Sequence, residues 1–194
     1  MDGLENIDND KIDVGVYHLD KFFLEKLGAN FSFYDLKSFD FDYDDTKGDD
    51  YLVVGYPITR AKVRPDKNKI LLRPFLFKTN LSTDTNLYIR TNTRPDANFL
   101  LNYQRKKIKD LIPNNIVKGP EPNGLSGCGV WKIVNPLAHE VESIMYHPMG
   151  IIIEYYKEHH ILIGTRLRVI TECLRKSFDL NIPASKKIQI NINS

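Results

Sequence analysis

The chain has 194 residues, 42% hydrophobic and 27% charged, an ordinary balance for a globular chain forming one large domain or two small ones. Its 27 basic and 25 acidic side chains leave a net charge of +2, without the marked basic excess of a dedicated nucleic-acid binder. Cys128 and Cys173 make no disulfide framework, and neither a secretory leader nor an apolar run of membrane-spanning length is present, so the expectation is a soluble, cytoplasmic protein with no membrane contact.

In chain order, "KIDVGVYHL" (11–19) reads as a first strand, and "LDKFFLEKLGA" (19–29) as a short helix. Residues 37–50, "KSFDFDYDDTKGDD", form an acidic stretch rich in turn residues. It lacks the ordered oxygen ligands and the closing glutamate of an EF-hand, and is expected to be a solvated linker. Strands are expected at 51–58, 69–79 and 86–92, each branched or aromatic and bounded by Gly, Pro, Asn or Asp. The segment 98–112 fits a helix as well as a strand, and its "RKKIK" (105–109) reads as a solvated basic face, with a phosphate-binding patch as the alternative. Strands follow at 128–134, 150–156 and 160–166. The chain then turns to a helix whose Leu167, Ile170, Leu174 and Phe178 fall at three- and four-residue steps. The fold class is therefore mostly β.

The stretch "PNGLSGCGVWKI" (122–133) carries the chemistry. Its serine does not sit in the G-x-S-x-G elbow of the α/β hydrolases, because Gly127 follows Ser126 directly and Cys128 stands where that motif wants glycine. A P-loop would end in Lys followed by Ser or Thr, and that ending is missing. What remains is G-x-S-G running straight into a strand.

That arrangement resembles the nucleophile loop of trypsin- and chymotrypsin-like serine peptidases, particularly compact bacterial ones with "GxSGGGVW". In such a loop the backbone N–H groups of the serine and of the glycine two before it converge on one spot, the oxyanion hole. The resemblance makes Ser126 the nucleophile and places the hole at Gly124 and Ser126. "DKIDVGVYHL" resembles the segment that carries the histidine-orienting carboxylate, which assigns that role to Asp13. "YLVVGYP" (51–57) resembles the start of the second barrel, and residues 149–178 its last two strands and closing helix. The implied architecture is a remnant strand of the first barrel and a linker over 1–48, then a complete second barrel with its C-terminal helix over 49–194. The implied function is a serine endopeptidase acting on peptide or protein substrates, with no cofactor and no metal.

The sequence departs from the pattern in two places. The catalytic histidine should precede the aspartate, yet only twelve residues precede Asp13 and none is histidine. His18, His139, His147, His159 and His160 all follow it, and none falls where a base is wanted. The chain then reads as the C-terminal part of a peptidase lacking most of its first barrel, inactive alone and with an open apolar face that an upstream first-barrel segment or a partner protein would cover. The alternative is a pseudopeptidase kept as a protein-interaction domain. A weaker one is a basic nucleic-acid module built on "RKKIK". The second departure is Cys128, where the family has glycine. A G-x-C-G register with Cys128 as nucleophile loses Gly124, and a small buried hydrophobe is the simpler reading. The primary specificity pocket is implied around Pro120, opposite part of strand 149–156. No acid stands at 120 to favour Lys or Arg substrates, and Glu154 is read as an outward-facing strand residue.

Overall fold

The computed structural model describes residues 12–29, 33, 35–36, 41–45, 49–57, 60–64, 69–71, 73–111, 115–134 and 145–190. Its elements in chain order are α1 (Lys21–Gly28), β1 (Asp50–Gly55), β2 (Lys62–Arg64), β3 (Lys69–Leu71), β4 (Phe75–Thr79), α2 (Asn86–Arg90) and β5 (Asn98–Asn102), then β6 (Ile108–Asp110), β7 (Asn115–Val117), β8 (Gly129–Val134), β9 (Met145–Tyr156), β10 (Ile161–Arg166) and α3 (Leu167–Phe178). The chain is mostly β. Eight strands form one antiparallel sheet in the order β5-β10-β9-β8-β1-β4-β6-β7, and β2 pairs with β3 in a separate hairpin. The chain just past β4 also reaches β5, the far end of that order. Leu81 bridges Leu101, the Ser82 N–H donates to the Leu100 carbonyl at 2.8 Å, and the Asn102 N–H donates to the Asn80 carbonyl at 3.0 Å.

Alternation builds the core. β1 buries Tyr51 and Val53, and β4 buries Phe75 and Phe77, every second residue pointing to one face. These pack with Phe99, Leu101, Tyr103, Leu125, Val130, Met149, Ile152 and Leu162 in the main cluster. β10 is buried on both faces: Leu162 joins that cluster, while Ile161 and Ile163 join a second one with Leu87, Leu100 and Ile153.

Four expectations about the helices and strands are corrected. Residues 12–19 form no strand, since no partner edge lies beside them among the described residues. Ile12 packs near Ala97 and Val169, while Val16, Tyr17 and His18 are exposed. Residues 86–92 form the short helix α2 in place of a strand. Ser82 Oγ accepts from the Asp84 N–H and Asp84 Oδ1 from the Asn86 N–H, local bonds that favour a turn over a ladder. The single strand at 69–79 is split at Pro74, which has no N–H to give a ladder. In α3 the expected stripe is not the buried face: Arg168, Val169, Thr171 and Glu172 are buried, and Phe178 is 52% exposed. Polar bonds hold this rotation, because Arg168 Nε donates to the Asp96 carbonyl (3.0 Å) and Glu172 accepts from Arg175 and from the Ser185 N–H (2.7 Å).

The acidic stretch is not a solvated linker where it is described. Arg166 Nη1 pairs with Asp45 at 2.6 Å, Lys132 with Asp49 at 2.5 Å and Lys78 with Asp50 at 2.6 Å. The fully buried Tyr51 donates its hydroxyl to Asp45 at 2.9 Å, and burial together with the Asp45 charge pushes that phenol well above its usual range. Asp42 accepts from Ser185 Oγ and the Lys186 N–H, tying the C-terminal segment to the same strap. No group of side chains able to hold a metal ion occurs among the described residues. No helix among them is long and apolar enough to cross a membrane.

Removing one member of a nearly buried ion pair strands the other. Asp45→Ala, which leaves Arg166 with 9% of its side chain exposed, is expected to cost about 3 kcal/mol in urea unfolding. Asp44→Ala, whose carboxylate is 86% exposed, should change little. Equal effects of the two would show that the strap is not a structural clamp.

Candidate functional site

The segment between β7 and β8 is pinned at both ends. Upstream, the Gly119 N–H donates to the Arg105 carbonyl at 2.7 Å, Arg105 Nε donates back to the Gly119 carbonyl at 2.8 Å, and the Tyr103 hydroxyl donates to the half-buried Pro120's carbonyl at 2.9 Å. Two turns follow in succession. The Leu125 N–H donates to the Pro122 carbonyl at 2.8 Å and the Cys128 N–H to the Leu125 carbonyl at 3.0 Å. Gly124 (φ 89°) and Gly127 (φ 83°) each occupy the third position of their turn, where a left-handed φ excludes most side chains. Downstream, the Gly127 N–H donates to the Ile152 carbonyl (2.7 Å) and the Ile152 N–H to the Cys128 carbonyl (2.9 Å), docking the loop on β9.

This construction buries Leu125 and Cys128 in the core and leaves Ser126 between them exposed. The Ser126 hydroxyl donates to the Ile153 carbonyl at 3.3 Å. Ile153 is the extra residue of a β-bulge: Glu154 faces Ile163 and Ile152 faces Gly164, and such bulges re-aim the backbone. Among the described residues, neither the Gly124 N–H nor the Ser126 N–H has a hydrogen-bond partner. Gly55 at the end of β1 makes room for the loop. A Cβ there would collide with Cys128 Sγ and come within 3.1 Å of Leu125 Cδ2.

Ser126 and Gly124 thus lie two residues apart in the paired turns, whereas no contact joins Asp13 to them. Asp13 is exposed, with no hydrogen bond or ion pair among the described residues. Nor does any described histidine bond Ser126. His18 is exposed, His147 lies against Tyr43 at 5.9 Å between ring centroids, His159 stacks on Tyr156, and His160 Nδ1 bonds the Tyr155 hydroxyl at 3.1 Å. His139 lies outside the described residues. Cys128 packs in the main cluster, where burial pushes its thiol above the usual range. A thiol held protonated and turned inward is a poor nucleophile, which leaves the G-x-C-G register without support. Cys173 packs against the cluster of Ala97, Val169 and Ile188, as expected of a core residue.

One feature was not read from the sequence. A cleft of about 710 Å³ opens beside the loop, between Pro122 and Asn123 on one side, Tyr155 and Lys157 on another, and the Arg105–Lys107 turn. The only signal for it was the basic run that begins at Arg105, read there as a solvated face.

Comparison with known proteins gives no match: no family model fits the chain, and no curated protein and no solved structure matches it.

The tight fit of β1 under the loop gives a direct check. Gly55→Ala is expected to cost about 1–3 kcal/mol of stability through overpacking. Native Cys128 should react with iodoacetamide at pH 8 much more slowly than in the urea-unfolded chain, and Gly55→Ala should speed that reaction by loosening the loop. A native Cys128 that alkylates at the unfolded rate would contradict the inward orientation.

Proposed function

We propose that residues 49–194 are the second β-barrel, with its closing helix, of a chymotrypsin-like serine endopeptidase, and that peptide bonds are cleaved through an acyl-enzyme at Ser126. The observation that carries this is the doubly pinned loop, which presents one serine hydroxyl beside two unpartnered N–H groups. The strand order supports it. With the Leu81–Leu101 bridge taken as closure, β1-β4-β5-β10-β9-β8 becomes a six-stranded ring with α3 following its last strand. β8 pairs with β9 only as far as Ile151. An extended substrate would lie along β9 beyond that point, beside the cleft.

In this reading the Ser126 hydroxyl leaves the Ile153 carbonyl and attacks the substrate carbonyl carbon while a base removes its proton. The resulting oxyanion accepts hydrogen bonds from the N–H groups of Gly124 and Ser126. Collapse expels the amine, which takes the proton from the base, and water then hydrolyses the ester. Because the Ile153 carbonyl cannot act as that base, the reading requires a histidine from outside the described residues. The resemblance gives Asp13 the task of orienting it. The exposed Val16, Tyr17, Phe22 and Phe23 of the N-terminal segment are consistent with an uncovered partner face. The same missing base favours the second reading, a pseudopeptidase that binds proteins without cleaving them.

Chemical rescue separates the two. A fluorophosphonate probe is expected to label the chain alone slowly or not at all. Added imidazole, standing in for the base, should raise labelling of Ser126 about tenfold, a small part of the 10²–10⁴ that a positioned base contributes. Peptide mass spectrometry should place the adduct on Ser126, and Ser126→Ala should abolish it. No labelling at any imidazole concentration would leave the interaction domain as the function.

A further inference from the structure

We infer that the cleft beside the loop that carries Ser126 recognises a carboxylate side chain of a peptide, so that the substrates of this site are acidic around the bond that meets Ser126. The inference rests on the peptidase reading for the peptide, and on charge for the side chain. The cleft wall carries Lys106, Lys107, Lys118 and Lys157, all exposed. None of the four has an ion-pair partner among the described residues. The one carboxylate on the wall, Glu121, is already paired with Arg105, whose Nε is also committed to the Gly119 carbonyl. Glu121 therefore cannot neutralise the lysines. On the sheet, by contrast, Lys78, Lys132 and Arg166 each meet a carboxylate of the acidic strap. In a chain that is nearly neutral overall, the mouth of this one cleft thus carries four lysines without an ion-pair partner among the described residues, where the low-dielectric walls focus the field.

Size and surroundings favour a peptide over a nucleic acid. A space of about 710 Å³ takes one or two side chains and cannot follow a run of phosphates. Nucleic-acid grooves also offer open aromatic faces, whereas Tyr155 packs edge-on against Tyr103 at 5.7 Å and its hydroxyl is tied to His160. The walls come from Pro122 and Asn123 of the nucleophile loop and from Tyr155 of β9, so a chain lying along β9 with its carbonyl at Ser126 would direct a neighbouring side chain between the lysines.

Binding tests this separately from catalysis. In the full chain carrying Ser126→Ala, a short fluorescent peptide rich in Glu is expected to bind about tenfold tighter than its Gln counterpart at low salt, with the difference shrinking as salt rises. Lys106→Glu and Lys157→Glu should each remove most of that preference, and Lys62→Glu, on the separate β2–β3 hairpin, should not. Equal binding of the Glu and Gln peptides would overturn the inference even if imidazole-rescued labelling succeeds at Ser126. Acid-selective binding lost in the two cleft variants would uphold it even if labelling fails. An oligothymidylate of equal charge that binds more tightly than the Glu peptide, and is lost in the same variants, would overturn it in favour of a nucleic-acid groove.

Discussion

The site depends on one reciprocal pair of hydrogen bonds, from the Gly127 N–H to the Ile152 carbonyl and from the Ile152 N–H to the Cys128 carbonyl. They lock the chain after the serine onto β9, while Leu125 before it is sunk in the core. Ser126 has nowhere to go but outward. Because Ile153 is bulged out of register with β10, its carbonyl falls next to the serine hydroxyl, and the same strand runs on to Tyr155 and the basic cleft. Loop, strand edge and cleft are thus positioned by a single junction. Gly55 is part of its tolerance, since a side chain there would push Cys128 and Leu125 back out.

The junction is held in turn by the acidic strap. Asp45 on Arg166 fastens the end of β10, Asp49 on Lys132 fastens β8, and Asp50 on Lys78 fastens β4, so three strands are clamped by one short segment. Tyr51 carries that clamp into the core through its hydroxyl. The Asp45–Arg166 and Asp49–Lys132 pairs are largely withdrawn from water, so losing either partner leaves a charge stranded there. Asp45, Asp49 and Asp50 are taken up by the sheet, and Asp42 and Asp44 by the C-terminal segment. The lysines around the cleft are left without such partners, a division of charge invisible in a net value of +2.

Much of this was legible in the sequence, where local rules decided the outcome. Alternation in "YLVVG" and "FLFKT" gives β1 and β4, and the doubly apolar "ILIG" gives a strand buried on both faces. The loop was legible as G-x-S-G running into a strand, and both of its glycines, 124 and 127, take a left-handed φ. Illegible were features that tertiary partners decide. "NLYIRTN" has strand composition but is captured by Ser82 and Asp84. The α3 stripe lost to Arg168 and Glu172, whose polar bonds lie in distant segments. The cleft was hidden because its walls come from the residues after β5, the loop before β8 and the β9–β10 turn.

The central claim is that residues 122–128 are a preformed oxyanion site for a nucleophilic serine, and a peptide boronic acid addresses it most directly. Boron accepts the serine oxygen without needing a leaving group, and the adduct places a negative tetrahedral centre where the N–H groups of Gly124 and Ser126 would act. Boron-11 NMR of the complex is expected to show tetrahedral boron with the native chain and only the free trigonal signal with Ser126→Ala. Trigonal boron with both proteins would mean that the loop is a glycine-rich turn and not a catalytic one.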